Sequence, residues 1–280
     1  MSGLFDFSDY GALLALVTNS LIAGALLGIV GGLIGFFVMA RDLPFAVHGV
    51  SELSFAGAAG ALLIGVDVVA GSTVGAILAA LLIGVLGPRA RERNSVIGVL
   101  MPFGLGLGIL FLSIYPGRSA NRFGLLTGQV VSVDGGQVVE LIAVLAVVLV
   151  ALLLIWRPLL FASVDEDVAV ARGVPTRALG IAFMVLLALT VSVAVQTVGA
   201  LLVLALLVTP AAAALRIASG PLAVSLLSML FATVSIVGGI LLALGAAIPI
   251  SPYVTTISFL IYLVCRLAGS RRSGRVRSGA

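Results

Sequence analysis

His48 is the only histidine in this chain of 280 residues, and Glu52 follows it four positions later in the string His48-Gly-Val-Ser-Glu52. On a helix, positions i and i+4 share one face about 6 Å apart. Imidazole suits zinc, iron and nickel, while carboxylate suits harder ions such as manganese, so the pair offers a site for a borderline divalent cation. Two ligands make a weak site, which is useful in a conduit that an ion must leave as well as enter. The same two groups could instead bond each other, line a helix interface or relay a proton. They sit inside an apolar stretch, where ionisable groups cost enough to mark function.

The elements that must position this pair are membrane spans. Apolar residues make up 61% of the chain and charged residues 9%, with a mean hydropathy of +1.32, against about 25% charged in a soluble domain. Runs able to cross about 30 Å of hydrocarbon occupy 11–39, 44–66, 68–86, 96–115, 138–156, 221–244 and 252–265, the last being short. Residues 178–215 carry no charge; as one helix they would extend about 57 Å, so a break is expected at Gln196-Thr197 and Gly199. Eight or nine transmembrane helices follow, an all-α polytopic fold. The first run exceeds the apolar core of a signal peptide and lacks a basic start, so it is expected to stay as a span. Glycine and alanine recur every fourth residue at Gly24, Gly28 and Gly32, at Gly57, Ala61 and Gly65, and at Gly71 and Gly75. Small residues at that spacing let helix backbones approach closely, predicting a compact bundle.

All 15 basic residues are arginine. With the N-terminus outside and nine spans, thirteen of them fall on the cytoplasmic side, as the positive-inside rule requires. Only Arg118 and Arg122 fall outside, beside Asp6, Asp9, Asp67 and Asp134. The basic balance is therefore topological, and no nucleic-acid partner is expected. Asp42 reads as a surface ion pair with Arg41, and Asp67, Asp134 and Glu140 as span-end carboxylates with a possible vestibule role. The permease domain is read as 1–270, with 271–280 a basic, disordered cytoplasmic tail. The single cysteine, Cys265, excludes an internal disulfide or a cysteine metal cluster and reads as a packing residue.

Between the fifth and sixth spans the composition changes. Ser163 followed by Glu166 reads as a capping box, with Asp165, Glu166 and Asp167 in a first helical turn where the dipole favours negative charge. Arg172 falls in the last turn, Gly173 at the C-terminal cap, and Pro175 prevents continuation. These signals predict a helix of nine residues over 164–172 on the cytoplasmic side, a shape suited to being pushed by a soluble motor. No motor lies in this chain: a Walker loop needs a lysine, and the sequence has none. ATP hydrolysis belongs to another polypeptide, and this chain reads as a transport subunit rather than an enzyme.

Two segments resemble the membrane permeases of chelated-metal ABC importers, which move zinc, manganese or iron. The first runs from Val38-Met-Ala-Arg-Asp-Leu-Pro through His48 and Glu52 to Gly57. The second runs from Trp156 through the acidic helix to Gly173-Val-Pro175, then Gln196-Thr-Val-Gly199-Ala-Leu-Leu-Val and Thr209-Pro-Ala-Ala-Ala213. Where the family pattern has Asp-x-x-x-His, this chain has His48 then Glu52. The family's Pro-Gly is Ala56-Gly57, and its later Asp-x-Pro is Ala247-Ile-Pro249. The resemblance implies a permease in a bacterial cytoplasmic membrane, assembled as two copies with two cytoplasmic ATPases and an external metal-binding protein. It implies no permanently bound cofactor: the divalent metal is cargo, ATP binds the partner subunit, and residues 163–173 couple to it. A siderophore or vitamin B12 permease is the alternative in the same class, and a proton-coupled carrier using His48 and Glu52 lies further away. An intramembrane enzyme would need a second buried polar cluster, and the internal hydroxyls look scattered along the sequence.

Overall fold

The computed structural model describes residue 14 and residues 17–87, 90–117, 133–244 and 250–277. The described residues form helices with turns between them. In order these are α1 Thr18–Ala40, α2 Pro44–Ile64, α3 Val68–Leu86, α4 Ala90–Ile114, α5 Gly135–Val164, α6 Glu166–Ala171, α7 Thr176–Val198, α8 Ala200–Leu207, α9 Thr209–Ile217, α10 Pro221–Leu244 and α11 Ile250–Arg277. Among the described residues eight helices are long and apolar enough to cross a membrane: α1 to α5, α7, α10 and the Ile250–Gly269 part of α11. The expected break falls at Gly199, whose φ of 85° lies outside the helical region and ends α7. A second boundary at Val208 divides the following apolar segment, so a ninth crossing would be the short stretch Leu202–Ile217.

Two span boundaries differ from expectation. Arg157-Pro158 does not end the fifth span; α5 carries Pro158 internally and continues to Val164. Proline removes one backbone donor and kinks a helix without always ending it. The last span is a full 20 residues rather than a short run. The continuous described part of the first helix runs from Thr18, while 11–13, 15 and 16, where the first span is expected to begin, together with Asp6, Asp9, Arg89, Arg118, Arg122 and Ala247-Ile-Pro249, lie outside the described residues.

The chain divides into two units, Ala40–Gln129 with Gly135–Val203, and Met1–Met39 with Val130–Asp134 and Leu204–Ala280. In the first, α2 packs on α3, α4 and α7, and α3 also packs on α7. The small residues do what their spacing predicts. A Cβ on Gly75 would collide with the Leu53 carbonyl oxygen, and one on Gly57 with the Gly71 carbonyl. The α2 and α3 backbones therefore touch, and α2 is buried along most of its length. In the second unit, a Cβ on Gly28 or Gly32 would strike the backbone of Thr233 or Met229 on α10, and Ser228 Oγ donates to the Gly32 carbonyl at 2.7 Å.

Close backbone approach leaves no room for a branched side chain. Gly75→Val is expected to destabilise the chain by about 1–3 kcal/mol, the usual penalty of overpacking, read as a lower unfolding temperature in detergent. Gly98→Val on α4, where an added Cβ meets nothing within 4 Å, should leave that temperature unchanged.

Candidate metal-ligand pair and coupling segment

Helix α2 begins at Pro44, a residue suited to the first helical position because its missing N–H would be unpaired there anyway. His48 and Glu52 then fall on one face, with His48 Nε2 3.6 Å from Glu52 Oε1. Glu52 is 4% exposed and His48 29%, so the carboxylate is buried and the imidazole reaches an opening. The separation is long for a hydrogen bond. The remaining atoms, His48 Nδ1 and Glu52 Oε2, are buried without a hydrogen-bond partner among the described residues. Buried carboxylate oxygens are ordinarily satisfied, and orphaned ones cost about 1–3 kcal/mol or more. A cation about 2.1 Å from each near donor, an ordinary ligand distance, would subtend an angle of roughly 120° across this gap. Among the described residues no third His, Cys, Asp or Glu joins them.

Packing around the pair is tight and apolar. Ile83, Ile97 and Met101 surround Gly49, and a Cβ on Gly104 of α4 would meet Leu53 and the backbone of Glu52. The hydroxyls that look scattered in sequence converge on one another in this unit. Ser54 and Ser72 lie 2.8 Å apart, Ser72 Oγ donates to the Ser192 carbonyl at 3.3 Å, and Thr73 Oγ1 donates to Ser192 Oγ at 3.3 Å. Gln196 Nε2 donates to the same Ser192 carbonyl, and Ser51 Oγ donates to the Ala200 carbonyl at 3.0 Å. This seam ties α2, α3 and α7 together. Ser51 and Ser54 flank Glu52 in sequence, the one signal that could have found it.

In the coupling segment, the structure moves the start of the short helix. Asp165, not Ser163, is its N-cap, accepting from Val168 N at 2.9 Å. Ser163 is still within α5 and donates to the Leu159 carbonyl at 2.6 Å, so no capping box forms and α6 spans six residues instead of nine. A carboxylate one residue from the first turn outcompetes a hydroxyl already used by its own helix. The C-terminal end forms as expected: Gly173 at φ 78° lets Gly173 N reach the Val170 carbonyl and Val174 N the Ala169 carbonyl, a Schellman arrangement. Arg172 is the C-cap itself. Asp165, Glu166, Asp167, Val168, Val170 and Arg172 are exposed, and only Ala169 is buried within α6.

Arg41 and Asp42 do not form the expected ion pair. Asp42 is exposed, whereas Arg41 turns inward and its Nη1 donates to Ser163 Oγ at 3.3 Å. Burial pushes the Arg41 guanidinium below its ordinary range, and the nearby Glu166 carboxylate draws it back up. Asp67 caps α3, accepting from Ala70 N at 2.7 Å.

Residues 14–268 match the family model of the ABC 3 transport family. A manganese transport system membrane protein, MntC, of Halalkalibacterium halodurans is 30% identical over 241 residues, 86% of this chain and 82% of its own length. MntC of Listeria innocua is 32% identical over 252 residues, 87% of this chain and 88% of its own. Among solved structures, a chain of PsaBC from Streptococcus pneumoniae in complex with Fab superimposes with a TM-score of 0.83 at 26% identity, covering 93% of this chain and 95% of that one.

Ser72→Ala removes one link of the hydroxyl seam that holds α2 against α3 and α7 and is expected to cost about 1 kcal/mol, typical of a hydrogen bond between membrane helices, seen as a lower unfolding temperature.

Proposed function

This chain belongs to the ABC 3 transport family, and from that premise we propose that it is the membrane permease of an importer carrying a divalent transition-metal ion, manganese before zinc or iron, past His48 and Glu52. One observation carries the site: two ligand-type side chains on one buried helix face, each keeping an unpartnered polar atom. A cation between His48 Nε2 and Glu52 Oε1, with Glu52 Oε2 free to close on it as a second oxygen ligand, would give the buried carboxylate the partner it lacks. The manganese names borne by the relatives support the choice of cargo. A siderophore or vitamin B12 cargo would leave a buried, unsatisfied carboxylate without a task.

The permease performs no covalent chemistry. Cytoplasmic ATPases on separate chains close on nucleotide and push α6, whose exposed acidic first turn and exposed Val168 and Val170 suit a docking surface. Two copies of the permease and an external binding protein complete the assembly in a bacterial cytoplasmic membrane. His48 and Glu52 hold the ion only weakly, so a change in their surroundings suffices to release it inward.

Proteoliposomes containing the full chain with its ATPase test the site. His48→Ala and Glu52→Ala should each lower ATP-driven manganese uptake about tenfold or more, since loss even of groups behind a metal ligand costs about 10–100-fold in affinity. The reversed pair His48→Glu with Glu52→His keeps both ligand types and should retain uptake. Wild-type rates in both alanine variants would remove the pair from the pathway, and uptake driven by a proton gradient without ATP would favour a secondary carrier.

The docking reading has its own test. Replacing Asp165, Glu166 and Asp167 together with alanine should leave ATP hydrolysis running while uptake stops, measured side by side at matched protein levels; unchanged uptake would contradict it.

A further inference from the structure

The turn between α1 and α2 is held by side chains from far along the sequence. Asp42 takes φ 55°, the one non-glycine residue with positive φ among those described. Leu43, the N-cap of α2, makes no side-chain capping bond. Arg93 Nη2 of α4 lies 3.5 Å from both the Arg41 and the Asp42 carbonyls. From the other side, Arg41 Nη1 reaches Ser163 Oγ at the foot of α5, 122 residues away. Ser163 spends its own proton on the Leu159 carbonyl, which leaves its oxygen free to accept. Gly180 of α7 lies beside Arg41: a Cβ there would stand in ordinary contact with Arg41 Nη2, at 3.4 Å.

Position gives these contacts a consequence. Ser163 stands two residues before Asp165, the cap of α6, and Arg41 stands three before Pro44, the start of α2. His48 and Glu52 follow within the next two or three turns. Resting on the reading of α6 as the element pushed by the ATPase, we propose that Arg41 is a positioning residue, a strut that makes α6 and the start of α2 move as one body and so delivers the push to the metal-ligand helix. The Glu166 carboxylate, in the first turn of α6, adds a longer-range attraction to both Arg41 and Arg93. Rigid elements joined by polar contacts are how coupling passes between separate sites. A plain packing role would instead make Arg41 matter only to stability.

The test uses the full chain with its ATPase in proteoliposomes. In a Cys265→Ser background, spin labels are placed at Phe45→Cys and Val170→Cys, exposed positions on the first turn of α2 and on α6. Electron–electron double resonance then reports their separation with and without a non-hydrolysable ATP analogue. With the doubly labelled chain diluted in unlabelled copies, so that only the distance within one copy is read, and with Arg41 present, the distribution should stay single and narrow in both states. In Arg41→Gln it should broaden or shift when nucleotide binds, and Arg41→Lys, which keeps a cationic donor, should restore it. ATP hydrolysis should persist in Arg41→Gln while manganese uptake falls about tenfold, within the 5–150-fold range of coupling between sites. Ser163→Ala should reproduce the broadening, and adding it to Arg41→Gln should add nothing. A distribution unchanged by Arg41→Gln overturns the strut, as does loss of hydrolysis and uptake in equal proportion to loss of folded protein. If the cargo is not a metal, wild-type manganese uptake is absent while the distance result still decides the strut.

Discussion

A carboxylate buried without enough partners is the constraint on which the rest of this fold depends. Glu52 lies deep in α2 with one oxygen near an imidazole and the other bonded to nothing among the described residues. Apolar surroundings oppose such a group strongly, so the helix bearing it must be fixed by contacts elsewhere. Backbone-to-backbone contact at Gly57, Gly71 and Gly75 supplies part of that, and the hydroxyls of Ser51, Ser54 and Ser72 supply the rest. A cation in transit, the proposed cargo, would be a partner for Glu52 that comes and goes.

The same helix leads from the proposed ligand pair back to the segment proposed to meet the ATPase. Its first residues follow a turn gripped by Arg93 and extended by Arg41 to Ser163, next to the short helix α6. The two polar regions of this unit, the ligand pair and the coupling segment, are thus joined through a few residues rather than through the greasy spans between them. A membrane interior offers little hydrophobic drive between helices, which makes each such polar contact a larger share of what sets relative position.

Much of this was legible in the sequence because membranes force strong patterns. Span existence followed from apolar runs, the helix break from Gly199, the C-terminal cap from Gly173 and Pro175, and the close α2–α3 approach from glycines four apart. What stayed hidden were contacts between distant residues and choices between near-equal local options. Ser163 and Asp165 both qualify as caps by type, and only the continuation of α5 through Pro158 to Val164 decides for Asp165. Arg41 looks paired with its neighbour Asp42 until the left-handed backbone at Asp42 turns the two apart. Ser54, Ser72 and Ser192 are separated by up to 138 positions in numbering and meet only in the fold.

The central claim is that the ion passes between His48 and Glu52, and its most direct measurement is manganese-edge anomalous diffraction from the full transporter crystallised with manganese. An anomalous peak is expected within bonding distance of both a His48 ring nitrogen and a Glu52 carboxylate oxygen. A peak at other side chains, with His48 and Glu52 bonded only to each other, would contradict it.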